Sequence, residues 1–273
     1  MTLSPGILFG VPRSGTSWLG QILNSHSAVL YRFQPIHSYT FAPTITNSSS
    51  RRDIGVFYEE LLATNDPYVL QLDGYTSGAN KAPTFRKGPL SHLIFKETHF
   101  WDACERACLV DPRVKLVGLI RDPVDVLSSW MNNPSEYDIN WSIRDQWLEA
   151  RGKNSEHPGN LFGFQAWADV NSRILKLQDQ IPERILVVRY ERLRMDPLSE
   201  AGRILNFFHL DLCKETEDFI ALSTTTADSN PYSVFRAFED EWPETVLPAD
   251  LVREIRSLSV ACNLTEFLRG GER

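Results

Sequence analysis

Short apolar runs alternate along this chain with longer stretches of helical spacing, the pattern of a parallel sheet flanked by helices. Gly6-Ile7-Leu8-Phe9-Gly10-Val11 reads as a short buried strand. Residues 16–25 carry Trp18, Leu19, Ile22 and Leu23 at helical spacing, one apolar stripe of a first helix. Residues 28–33 and Leu93-Ile94-Phe95-Lys96 are further strand candidates. Residues 114–120 are apolar nearly throughout, as a central parallel strand must be, and Ile185-Leu186-Val187-Val188 is another strand. Helices are expected over 54–63 and over 248–269, the latter with Leu251, Ile255, Leu258, Cys262 and Phe267 on one face. Residues 43–52 are polar and loop-like, and residues 132–163 are rich in Pro, Asn, Ser, Gly and Trp, which predicts a substrate-facing insertion or lid. No repeat or linker interrupts the chain, so the expected fold class is α/β, a single domain over 1–273 with a parallel sheet flanked by helices.

Composition narrows the partners. With 42% hydrophobic and 23% charged residues, the chain is neither disordered nor membrane-embedded in character. Its net charge of −7 argues against a surface for nucleic acid or anionic lipid. Any polyanionic ligand must therefore meet local positive charge in a pocket. Cys104, Cys108, Cys213 and Cys262 are scattered, which suits a reducing compartment and offers no metal-ligand spacing, so no metal is expected. The first strand begins within six residues, with no basic start and no apolar run long enough to span a bilayer. The expectation is a cytoplasmic protein without a signal or membrane segment. The tripeptides at Asn47, Asn140 and Asn263 then match the glycosylation pattern by chance.

The chemistry starts at Gly10-Val11-Pro12-Arg13-Ser14-Gly15-Thr16-Ser17-Trp18, between the first strand and the first helix. Glycines let the backbone curl so that N–H groups point inward, and the helix N-terminus adds its positive end. Thr16 and Ser17 can donate hydroxyl hydrogen bonds. A Walker A loop would carry lysine at position 16; here Thr16 stands there, and the cation Arg13 sits inside the loop. Its forked guanidinium can grip two oxygens at once. A glycine turn capped by a hydroxyl is the plainer alternative, and the strand, helix and internal cation together favour the phosphate loop.

A second element follows the central strand: Arg121-Asp122-Pro123-Val124-Asp125-Val126-Leu127-Ser128-Ser129. Asp122 suits an N-cap and Pro123 the first helical turn. Arg121 then lies at the carboxyl end of a parallel strand, where open α/β sheets place ligands, and Ser129 two turns on can face the same crevice. The pair suits a second phosphate. An arginine salt-bridged to Asp122 or Asp125 is the alternative, and the phosphate loop on the same sheet edge tips the balance.

Together these elements resemble the PAPS-dependent sulfotransferases, where PAPS is 3′-phosphoadenosine-5′-phosphosulfate and PAP its desulfated product. The carbohydrate (galactose and N-acetylglucosamine 6-O) sulfotransferases are the most similar group. The similarity is carried by Arg13-Ser14-Gly15-Thr16-Ser17 with the helix after it, Tyr31-Arg32-Phe33-Gln34-Pro35-Ile36-His37, Phe95-Lys96-Glu97-Thr98-His99-Phe100, residues 116–129, and Val188-Arg189-Tyr190-Glu191-Arg192-Leu193. It implies a P-loop NTPase-like sulfotransferase fold and a sulfuryl transfer from PAPS to an acceptor hydroxyl, on a carbohydrate or glycoconjugate. Arg13, Ser14, Gly15, Thr16 and Ser17 would hold the 5′-phosphosulfate, and Arg121 and Ser129 the 3′-phosphate. Trp18 would lie near the adenine or else in the core. Gln34 stands where the family has glutamate, and His99 where it has arginine; Gln34 and His37 fall on the acceptor side. Secretory members carry an N-terminal anchor, and none is read here. Phe85-Arg86-Lys87-Gly88 matches a C-terminal element of cytosolic members but stands before the third strand, so it reads as coincidence.

For the base that takes the acceptor proton, His99 is favoured, then Glu97, then His37, with Lys96 adding positive charge beside Arg13. Strand alternation puts Glu97 and His99 on one face, opposite Lys96 and Thr98, so Glu97 can orient His99. Arg189, Tyr190 and Glu191 read as a structural brace. The rivals are a P-loop kinase or NTPase, and an inactive PAPS- or PAP-binding homologue. Trp141, Trp147 and Tyr137 are candidates to line an acceptor cleft.

Overall fold

The computed structural model describes residues 3–270 apart from 39, 42–43, 73–81, 227, 229, 231, 236 and 238–241. The first half runs β1 (Ser4–Phe9), α1 (Thr16–Ser25), β2 (Val29–Phe33), α2 (Arg51–Ala63), β3 (His92–Glu97), α3 (Trp101–Val110), β4 (Lys115–Ile120) and α4 (Pro123–Met131). The second half runs α5 (Ile143–Gln146), α6 (Arg151–Asn154), α7 (Gly163–Gln180), β5 (Ile185–Arg189), α8 (Tyr190–Met195), α9 (Pro197–Phe207), α10 (Lys214–Thr225) and α11 (Ala249–Ala261).

All pairings in the five-stranded sheet are parallel, in the order β2-β3-β1-β4-β5. Alternate residues of each strand feed opposite faces. Ile7, Phe9, Phe95 and Leu116 pack on one side against Phe57 of α2, Trp101 of α3 and Trp167 of α7. Leu8, Ile94, Val117 and Val188 pack on the other against Leu19 of α1, Ile204 of α9 and Phe219 of α10. Each face is thus dry, and the strands read as near-continuous apolar runs for that reason.

Each expected strand is present, with ends moved by a few residues. β1 ends at Phe9, so Gly10 and Val11 belong to the loop after it. α2 starts earlier than its apolar stripe because Ser50 and Asp53 form a reciprocal capping box. The expected helix over 248–269 ends at Ala261. Asn263 turns left-handed there (φ 59°), and its N–H and that of Leu264 close on Val260 and Ser259, a C-terminal cap that asparagine tolerates.

The crossovers make a rim. The chain leaves β1 through α1 towards β2 and leaves β3 for β4 on the other flank of β1. Between β1 and β4 the winding direction changes, and the crevice outside those two carboxyl ends is where an open α/β sheet receives ligands.

Candidate functional site

A cleft of about 850 Å³ opens at that rim, and every element that ends there contributes to its wall. On the β1 side the loop is tightly constrained. A Cβ at Gly10 would lie 2.6 Å from the Leu119 carbonyl oxygen, and one at Gly15 would lie 2.5 Å from the Tyr190 ring. Gly15 also has φ 92°, a conformation glycine adopts without cost. Arg13 is left-handed too, at φ 73°, a strained backbone held where its side chain enters the cleft. α1 has no side-chain cap, so its first N–H groups are left for whatever lies in front of them. Thr16, Ser17 and Trp18 line the cleft. Ser14 does not: its hydroxyl is fully buried without a partner among the described residues, and its N–H donates to the Val11 carbonyl at 3.2 Å. Ser14 thus shapes the loop from behind, a correction to its reading as a donor. Trp18 both faces the cleft and donates from Nε1 to the Ser223 hydroxyl at 3.0 Å.

The β4 side meets this loop directly. Arg13 Nε donates to Ser129 Oγ at 3.2 Å, and Arg121 Nη1 donates to the Arg13 carbonyl at 3.0 Å. Ser129 accepts from Arg13 and so keeps its own proton to donate. Arg13 also faces Glu136 at 3.7 Å. Arg121 lies over the Tyr190 ring at 4.6 Å, with its Nε buried and lacking a hydrogen-bond partner among the described residues. Asp122 caps α4 by accepting from Val124 N at 2.7 Å, as the sequence predicts, and is not the partner of Arg121 in any hydrogen bond among the described residues.

The β2 and β3 ends form the far wall. Lys96 is buried among Phe33 and the cleft lining, and burial pushes its amine below the usual lysine range. Glu97 is fully buried behind the wall; one oxygen accepts from Ile36 N at 2.6 Å, and burial pushes its carboxyl up. β3 ends at Glu97, so strand alternation stops there. Thr98 and His99 therefore both line the cleft, and Glu97 does not share a face with His99 as expected. His99 stacks on His37 with ring centroids 4.2 Å apart, and His157 meets His37 edge-on at 4.8 Å. Burial, then the neighbouring histidine, holds His99 well below its ordinary value and brings His37 to about 4. Both rings are neutral at pH 7. Gln34 has its amide fully engaged, donating to Thr98 Oγ1 and accepting from Tyr68 Oη at 2.8 Å.

Several contributors were not legible as site residues. Tyr190, read as a brace, presses on Gly15, carries Arg121 and faces the cleft. Glu191 does brace, accepting from Asp122 N at 2.9 Å. Tyr232 and Trp242 line the cleft from the stretch between α10 and α11, where polar sequence with isolated aromatics has no period to read, and Arg194 lines it from α8. From 132–163 the cleft receives Asn132, Glu136 and Phe162, whereas Tyr137 and Trp147 are buried in the core and Trp141 packs against it. Lys87 of the Arg-Lys-Gly tripeptide hydrogen-bonds the Asn24 and His26 carbonyls, a cation at the C-terminus of α1. Among the described residues no helix is long and apolar enough to cross a membrane.

The chain is similar to known proteins in sequence and in fold. Residues 4–234 match the sulfotransferase domain. Cytosolic sulfotransferase 15 of Arabidopsis thaliana is 30% identical over 222 residues, covering 77% of this chain and 53% of that protein. Carbohydrate sulfotransferase 1 of Mus musculus is 24% identical over 304 residues, covering 86% of this chain and 72% of that one. The chain spans about half the length of the plant relatives it matches. Among solved structures, a mouse sulfotransferase complexed with PAP superposes with a TM-score of 0.57 at 15% identity, over 98% of this chain and 91% of the other. The parallel sheet, the loop after β1 and the matched span agree, and the chain belongs to the sulfotransferase domain family.

Proposed function

We propose that this protein transfers the sulfuryl group of PAPS to an acceptor hydroxyl, on a carbohydrate or glycoconjugate. One observation carries the reading: Arg13 and the Arg121–Ser129 pair, from the segments that follow β1 and β4, are hydrogen-bonded into one cationic cluster at the rim between those strands. The cluster fits a doubly phosphorylated nucleotide. Among the described residues Arg121 Nε is buried and unpartnered, Ser129 holds a proton to donate, and the uncapped α1 terminus presents N–H groups. Arg13, Gly15, Thr16 and Ser17 are assigned to the 5′ end, Arg121 and Ser129 to the 3′-phosphate, and Trp18 with Tyr190 to the base between them. The sulfotransferase complexed with PAP supports this assignment through its shared fold.

When bound, PAPS supplies an electrophilic sulfur and a 5′-phosphate leaving group. The chain supplies charge, orientation and a base. Arg13, seconded by Lys96, faces the negative charge that develops on the departing oxygen, the place where fixed cations lower a barrier most. His99 is neutral at pH 7 and on the cleft wall, so it takes the acceptor proton. His37 holds its ring by stacking. Gln34 cannot be the base, its amide being bonded on both sides. Phe33, Tyr68 and Phe162 around His37 and His99 offer flat apolar faces of the kind sugar rings stack on, and the carbohydrate sulfotransferase relative supports that acceptor class. Free thiols at Cys104, Cys108, Cys213 and Cys262 support a reducing, cytoplasmic setting.

The test is transfer of labelled sulfate from PAPS to pools of glycan acceptors, with Arg13→Ala beside the wild type. The variant is expected to lose about 3–4 kcal/mol of transition-state stabilisation, a hundredfold or more in rate. Its melting temperature should stay near that of the wild type. Near-normal turnover in the variant contradicts the assignment of the loop.

A further inference from the structure

Glu136 stands beside the proposed reaction centre with hydrogen-bonding capacity left unused. It follows α4, in the segment expected to face the substrate, and its side chain lines the cleft. Its backbone is pinned. The N–H donates to the Asn133 carbonyl at 3.0 Å, and the carbonyl accepts from Nε1 of the buried Trp130 at 3.2 Å. Oε1 lies 3.7 Å from Arg13 Nη1, an ion pair beyond hydrogen-bond length. Oε2 is buried with no hydrogen-bond partner among the described residues. The side chain keeps 17% exposure, and a turn about its last torsion exchanges the two oxygens.

The charge is felt on both sides of the cleft. Burial lowers Lys96, while Glu97 and then Glu136 hold it up; burial raises Tyr232, and Glu136 adds to the rise. A carboxylate can only accept hydrogen bonds, and one left unsatisfied away from water is costly. Arg13 and Lys96 offset this charge until the donor's phosphosulfate claims both cations. From then on the carboxylate needs hydrogen from the molecule that enters next, which is the acceptor. A hydroxyl supplies it, and an anion at that place adds repulsion.

We propose that Glu136 is a specificity residue for the acceptor. Its carboxylate accepts a hydrogen bond from a hydroxyl beside the one that is sulfated, and it rejects acceptors that carry an anion there. The inference rests on sulfuryl transfer to a sugar as proposed above. It narrows the acceptor to a neutral polyhydroxyl compound at that position, and leaves the reacting proton to His99.

Transfer of labelled sulfate from saturating PAPS tests it, with p-nitrophenyl β-galactoside, its monodeoxy analogues and its monosulfated forms as acceptors. Wild type is compared with Glu136→Gln and Glu136→Ala. In wild type, loss of one hydroxyl should cost roughly ten- to a hundredfold in kcat/KM, and in Glu136→Ala the same loss should cost less than about threefold. A monosulfated galactoside that serves wild type poorly should improve about tenfold in Glu136→Gln. PAP binding should persist in both variants, because the anchors of Glu136 are backbone groups. Deoxy analogues that lose equally in wild type and variants overturn the proposal and leave Glu136 a counter-ion of Arg13. Loss of PAP binding in both variants also overturns it, since the residue then serves the loop. A wild-type protein that binds PAP but sulfates none of the galactosides fails at the acceptor class, and the role of Glu136 falls with it.

Discussion

His99 combines two properties that rarely coincide on a cleft wall: it is buried to 8% exposure, and it has another imidazole stacked upon it. Each disfavours the cation, so the ring stays neutral well below the ordinary histidine range. The sign of the pH dependence follows. A base works when unprotonated, so a lowered pKa moves the acid limb of kcat/KM to lower pH, and activity should hold level from neutrality past pH 6. Lys96 acts in the opposite sense: it must be charged, burial lowers its pKa, and activity should fall on the alkaline side well before the usual lysine range. A pH–rate profile checks both limbs, and His99→Asn should cost on the order of a hundredfold and abolish the acid limb. An acid limb at the ordinary histidine value would remove His99 from the role. At this scale the sequence was informative where spacing encodes chemistry. Arg13, Arg121 and Ser129 are placed by the glycines, the proline and the helix that follow them. It misled at Ser14 and Glu97, because whether a side chain faces the cleft or the core depends on where a strand stops.

The loop after β1 and the helix α1 behave as one unit with α8, through Tyr190. Gly15 is the hinge of that contact, left-handed and in near contact with the ring. Gly15→Ala adds a methyl where the Tyr190 ring already stands and imposes a strained φ, so it should destabilise by about 2–4 kcal/mol. Urea unfolding reads that loss. PAP binding should fall further than stability, since Tyr190 also carries Arg121. An unchanged midpoint would mean the loop is not packed as described. Strands and α1 were legible because both sheet faces are buried and the apolar runs show it. The wall built by Tyr232 and Trp242 was not: it lacks any periodicity, and its position depends on contacts such as Val246 N to Ser128 Oγ at 3.2 Å, which span 118 residues of sequence.

For the whole molecule, the net charge of −7 and the cationic rim are complementary facts. Acidic surface keeps stray polyanions away at long range, and Arg13 and Arg121 hold positive charge where the sheet winding reverses. That placement follows from topology: β1 and β4 are neighbours in space, so loops distant in sequence meet. The most direct measurement is thermal protection by PAP set against ATP with magnesium. PAP at a hundredfold excess over its Kd should add about 2.7 kcal/mol, a rise of roughly 5–10 °C for a chain of this size, with little effect from ATP and magnesium. Protection by ATP with magnesium and none by PAP would contradict the assignment of the rim and favour a kinase or NTPase instead.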